Sequence, residues 1–351
     1  MKLLCLAAMA LVLLAAAAPA GAAPAYTVDV VGRLPSGNYR AASVDTKEAV
    51  YLLGGRNESN VTGSVLRYDI KSGAASPAPF GLPQPRMSAC AVLDGKRAFV
   101  FGGADGGLEL DTILGIDLAT GNVSTLEARL FSPRIGLAAA VFKGSAYIFG
   151  GHSNGTKITN ITRFDLSTEK VSLMGAALPT GRAGMGIAAS ARGIYLFGGK
   201  TDPGASDEVL FYDPARDNLT VLSGRLPYTV YHAPAVAFGG RVLLIGGSAE
   251  LPGWNVSRAT DTIVEFDPAT GSSRQLPERL PSPRERTCAA PAGNRVLVFG
   301  GQEGVKALDE VVAISMAGTT APDDRGLWPA VAAVAFLAPT AVVLFVIGRR
   351  R

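Results

Sequence analysis

Histidine and cysteine are scarce in this chain, with two and three copies in 351 residues. His152 and His232 stand 80 positions apart, and no HExxH helix or Cys/His cluster gathers ligands at metal-binding spacing. No metal and no cofactor is therefore expected. A nucleophile elbow, a phosphate loop and a sialidase-type Asp box are also missing, which leaves no catalytic residue to assign. Before the C-terminal segment no stretch has a convincing helical period, which excludes a bundle or an α/β architecture. Charge of one sign is not in excess either. Of 33 basic residues, Lys2, Arg325 and Arg349 to Arg351 lie in the end segments; the remaining 28 face 27 acidic ones once Asp323 and Asp324 are set aside. A near-neutral body implies no nucleic-acid partner.

What is present begins at the ends. Residues 1–25, "MKLLCLAAMALVLLAAAAPAGAAPA", place one lysine before an apolar run and close on Ala-x-Ala sites at Ala20 and Ala25. That is the pattern of a secretory signal peptide. Leu327 to Gly348 carries no charge and is followed by three arginines. At about 1.5 Å per residue it is long enough to cross a bilayer as one helix, with Arg349 to Arg351 as a basic cytoplasmic tail (349–351). The reading is a single-pass type I membrane protein, a monomer, whose body faces the extracellular or lumenal side. Residues 316–326 form the linker. Seven Asn-x-Ser/Thr sequons lie between the two segments, at Asn57, Asn60, Asn122, Asn154, Asn160, Asn218 and Asn255, and are candidate glycosylation sites.

The body is one period repeated. Six apolar runs end in Gly-Gly, with first glycines at Gly54, Gly102, Gly150, Gly198, Gly246 and Gly300. The first four steps are 48 residues and the last is 54. Fifteen residues beyond four of these glycines stand Tyr68-Asp69, Ile116-Asp117, Phe164-Asp165 and Tyr212-Asp213; Phe266-Asp267 follows the fifth after a six-residue insertion. Sixteen residues before the doublets lie Arg86, Arg134, Arg182 and Arg284, with Asn38 and Val230 in the other two slots. Each unit reads as four short strands divided by Gly, Pro, Asn and Asp. A four-stranded sheet of this size cannot cover both faces by itself, and radial stacking into a closed ring solves the problem.

These units resemble kelch repeats over residues 26–315, although none carries the Trp that usually follows the aromatic-Asp pair. The resemblance implies an all-β, six-bladed kelch-type β-propeller, followed by the one C-terminal transmembrane helix at 327–348. The sixth unit lacks an outer strand, and the chain start, "YTVDVVGRLPSGNYRAA", matches the joins between other units. Tyr26 to Val31 is therefore expected to complete the last blade and close the ring.

In such a fold the link into the inner strand and the loop after the second strand share one face. Arg86, Arg134, Arg182 and Arg284 are expected to gather around that mouth. Arg40 and His232 stand in where the slot holds Asn38 and Val230, and Arg286 adds a further charge. Kelch propellers that bind acidic ligands use arginines in this region, so the resemblance implies a carboxylate, sulfate or phosphate site. A repeat-framework role for the same arginines, paired with acids or carbonyls, is the competing expectation. The insertion brings Trp254, a candidate binding anchor, to the same face. The expected function is a cell-surface, non-catalytic recognition module for a protein or carbohydrate ligand. The alternative is a carbohydrate-active enzyme on a kelch propeller, a sugar epimerase or mutarotase or a galactose-oxidase-like oxidase. Cys90 and Cys288 occupy one slot in blades that flank a third. With neighbouring sheets about 10 Å apart, their separation stays above the ~7 Å Cα limit of a disulfide, so both are expected to be buried free thiols.

Overall fold

A computed structural model describes residues 25–250 and 257–316, and every regular element in them is a β-strand. The apolar segment at 327–348 and the leader lie outside the described residues. No helix among the described residues is long and apolar enough to cross a membrane.

Five four-stranded antiparallel sheets and one six-stranded sheet, the fifth blade's, follow the repeat. The first blade runs from its inner strand Ala42–Asp45 through Ala49–Leu53 and Ser64–Asp69 to the outer strand Ala75–Gly81. The inner strands of the next five blades are Cys90–Asp94, Ala138–Phe142, Gly186–Ala189, Ala235–Phe238 and Cys288–Ala292. The six-residue insertion extends the fifth blade, where Ser248–Glu250 pairs with Thr229–Tyr231 and with the start of Arg258–Asp267. The sixth blade is completed by Tyr26–Arg33, which pairs antiparallel with Glu310–Met316. The closing strand is thus the expected one, two residues longer than the sequence indicated.

Hydrophobic burial is divided into six clusters, one at each junction between blades. The aromatic-Asp landmark serves both junction and turn. Tyr68, Phe164, Tyr212 and Phe266 pack edge-on against Phe299, Phe101, Phe149 and Phe197, the residues just before the preceding blade's doublet, at centroid distances of 5.1–5.4 Å. The Asp accepts backbone N–H groups in the turn that follows; Asp117, for example, accepts from Ala119 at 2.8 Å and Thr120 at 3.0 Å. These hydrogen bonds hold the Asp117 carboxyl below its ordinary pKa.

The doublet has a specific task. The second glycine donates its N–H to the backbone carbonyl of the arginine-slot residue of the next blade. Gly55 reaches Arg86 at 2.8 Å, Gly103 reaches Arg134 at 2.9 Å, and Gly301 reaches Asn38 of the first blade at 2.9 Å. The first glycine must lie against the same carbonyl. A Cβ at Gly54, where φ is +67°, would sit 2.4 Å from the Arg86 oxygen. Only glycine fits both the positive φ and the approach.

The closing strand carries a heavy share of one junction, because Tyr26 is buried and its hydroxyl donates to Glu265 at 2.6 Å. Deleting residues 26–31 is expected to lower stability by at least about 3–5 kcal/mol through the loss of the buried Tyr26 alone. Thermal unfolding checks this, and an unchanged melting temperature would contradict the closure.

Candidate functional site: the channel mouth

Each blade contributes to one face the link before its inner strand and the loop after its second strand. Backbone bridges tie the two together, as between Tyr39 and Arg56 or Ile135 and His152. The sequence-derived arrangement of the mouth therefore holds.

The four slot arginines reach this end of the fold but lie beneath the surface, at 0–1% exposure. Each donates Nη1 to the carbonyl of the first glycine of its own doublet: Arg86 to Gly102 at 3.1 Å, Arg134 to Gly150, Arg182 to Gly198 and Arg284 to Gly300, these three at 3.3 Å. Each guanidinium also donates to the residue 26 positions on. Arg86 donates to Thr112 at 3.2 Å, Arg134 to Asn160 at 3.1 Å, Arg182 to Glu208 at 2.6 Å and Arg284 to Glu310 at 2.7 Å. Burial pushes the Arg86 guanidinium down to about 10. Asn38 makes the same contact from the first blade, Nδ2 to the Gly54 carbonyl at 3.2 Å.

Arg40 and His232 accordingly do not replace missing arginines. They belong to a separate slot, two residues on, that all six blades fill: Arg40, Ser88, Gly136, Gly184, His232 and Arg286. All six have positive φ, between +54° and +67°. Their backbones close a hydrogen-bonded circle around the axis. Ser88 N–H donates to Arg40, Gly136 to Ser88, Gly184 to Gly136, His232 to Gly184, Arg286 to His232 and Arg40 to Arg286, over 2.7–3.1 Å. The left-handed conformation costs a non-glycine residue on the order of 1 kcal/mol, so four side chains are displayed here at a cost that glycine would avoid.

Those side chains make the mouth lopsided. Blades five, six, one and two present His232, Arg286, Arg40 and Ser88, whereas blades three and four present bare glycine. Beside Gly136 opens a cavity of about 240 Å³ lined by Arg40, His152, Lys157, Lys200, Tyr231 and His232, together with small and apolar residues and no acid. Lys157 pairs with Asp202 at 2.6 Å, and His152 Nδ1 lies 3.2 Å from Glu109. Lys200 lies over the Tyr231 ring, 4.9 Å from its centroid. Neither Lys200 nor Arg40 forms an ion pair with a carboxylate among the described residues. Burial and the neighbouring Arg286 charge lower the Arg40 pKa. Burial likewise lowers the His232 pKa. Glu285 receives hydrogen bonds from Ser248 and Arg286 and lies 3.7 Å from His232 Nδ1. Burial pushes its carboxyl up, but these neighbours outweigh it and hold the pKa low.

Beneath the circle the channel widens to about 510 Å³ between inner strands rich in Ala and Gly. Cys90 and Cys288 both line it as free thiols, Cys288 buried and Cys90 half-buried. Cys288 Sγ donates to the Ala41 carbonyl at 3.1 Å, and burial pushes its thiol up to about 12. Among the described residues no group of three His, Cys, Asp or Glu could hold a metal. Asn57, Asn60 and Asn154 lie on mouth loops, and Asn160 joins Arg134 where the third strand of its blade begins. Asn122 and Asn218 sit at the turns of the opposite face. Trp254 and Asn255 lie outside the described residues.

Sequence reasoning missed Lys157, Lys200, Tyr231 and Glu285. Tyr231 neighbours the axial slot, and Lys200 directly follows a doublet, so reading those two positions across the repeats would have found both.

The described residues thus form a closed six-bladed β-propeller with a cavity of about 240 Å³ at its mouth. The family model for the KLHDC2/KLHL20/DRC7 Kelch-repeats domain matches twice, over residues 38–247 and 136–320, and the chain belongs to the kelch-repeat family. A search of curated proteins gives no match.

The buried contacts set an expectation for Arg134 and Arg182. Replacing both with Ala leaves Glu208 with Arg225 as its one remaining guanidinium partner, strips donors from the Gly150 and Gly198 carbonyls, and is expected to lower the melting temperature by about 10 °C or more. Differential scanning calorimetry checks this. A second expectation concerns the thiols. Denatured, unreduced protein should label at both Cys90 and Cys288, and Cys288 should label far more slowly in the native state.

Proposed function

We propose that the chain is a non-catalytic recognition module that takes an acidic segment of a partner protein into the mouth cavity. Kelch propellers typically serve as protein-binding modules. The supporting observation is the cavity lining, in which Arg40 and Lys200 stand without carboxylate partners, Lys157 and two histidines stand beside them, and no acid intervenes. A carboxylate entering over Gly136 would meet Arg40 and Lys200 together, and Tyr231 would offer an apolar face to the adjoining chain. In the exported reading the body is displayed from the membrane by residues 327–348. Glycans at Asn57, Asn60 and Asn154 would then crowd the rim and favour a narrow, protruding segment over a broad face.

The test is titration with a glutamate-rich peptide at low and high salt. Binding is expected to weaken with salt, and to weaken at least about tenfold in Arg40→Ala and in Lys200→Ala, from the loss of a charge-assisted hydrogen bond in each. Unchanged affinity in both variants would sink the proposal.

A further inference from the structure

The closing strand ends against an acid that is only half satisfied. Glu278, on the outer strand of the fifth blade, accepts the backbone N–H of Tyr26 through Oε1 at 3.4 Å. Its Oε2 is buried and has no hydrogen-bond partner. A carboxylate oxygen shut away from water without a donor is destabilising, and an amide N–H can serve only one of the two oxygens. Tyr26 holds its nitrogen in place. The residue is 5% exposed, pairs with Met316 in the ladder, and donates its hydroxyl to Glu265, whose charge is already matched by Arg274 at 2.8 Å. An ammonium at the Tyr26 nitrogen would supply three donors and a positive charge at the one place where the junction has a donor too few.

The sequence offers a way to make that ammonium. Ala23-Pro24-Ala25 is a small-x-small cleavage site, and the bond it specifies is the one between Ala25 and Tyr26. Ala25 precedes the strand and is exposed. The other site, Ala18-Pro19-Ala20, would leave five residues attached and keep the Tyr26 nitrogen an amide.

We propose that a processing peptidase hydrolyses the Ala25–Tyr26 bond, and that the new Tyr26 ammonium latches the propeller by pairing with both oxygens of Glu278. One water is consumed. The C–N bond breaks, Ala25 leaves as the carboxylate end of the leader, and the Tyr26 nitrogen takes up protons to become the ammonium, the prevailing form of an α-amino group at neutral pH. The inference rests on the exported reading and is independent of what the mouth binds.

Two measurements test it. The full chain is expressed with its own leader in a secreting host, its free amine is labelled before digestion, and the N-terminal peptide is identified by mass spectrometry. Tyr26 is expected first. Gly21 in first place would keep the export and overturn the latch, and Met1 would overturn both. In parallel, full chains that begin at Tyr26 and at Ala25 are melted, each with Glu278 or with Glu278→Gln. The chain beginning at Tyr26 is expected to melt about 2 °C higher, and Glu278→Gln should remove the difference. Equal melting of the two Glu278 chains, or a difference that survives Glu278→Gln, would overturn the ion pair.

Discussion

The hydrogen bond from the second glycine of each doublet to the slot carbonyl of the next blade is the contact on which the ring depends. It occurs at all six junctions, from Gly55 to Arg86 round to Gly301 to Asn38. It requires an amide that turns sharply out of its strand and a backbone that passes within contact of the neighbouring chain. Glycine at both positions meets these demands. Around that contact the slot arginines tie the incoming link to the doublet of the same blade, so one carbonyl and one guanidinium couple adjacent blades near the axis. Farther out, aromatic packing and the six clusters supply the apolar burial. With no edge left open at the junctions, the ring is a single cooperative object in which each sheet covers its neighbour.

This division of labour separates two kinds of arginine that look alike in the sequence. Arg86, Arg134, Arg182 and Arg284 are buried, and each guanidinium donates to the carbonyl of its own doublet. Arg40 and Arg286 stand two residues later in their repeats, on a circle of left-handed residues at the mouth. The framework fixes where that circle lies, and the circle then presents whatever side chain each blade happens to carry. Two of the six are glycine, and one of them, Gly136, lines the mouth cavity together with Arg40, Ser88 and His232.

The fold was legible because its landmarks are residue types under strict local demands. Only glycine satisfies the doublet, Asp caps the turn, and the missing outer strand of the last unit matched the chain start. The site was legible in part. A repeated arginine advertises charge, but its burial depends on the opposite carbonyl and on Glu208 or Glu310 far along the chain, which spacing alone does not reveal. The axial slot is harder to see because it is filled by Arg, Ser, Gly, Gly, His and Arg. What those six share is a backbone angle, and no single letter encodes it. Lys200 and Tyr231 come together across the junction of the fourth and fifth blades, from different repeats.

Hydrogen exchange at the second glycines reports on this account most directly. If the doublet contact holds the ring as one unit, the amides of Gly55, Gly103, Gly151, Gly199, Gly247 and Gly301 exchange together, in the slowest class of the molecule and with the free energy of global unfolding. Exchange of these six amides at separate rates, with some blades opening while others stay protected, would contradict it.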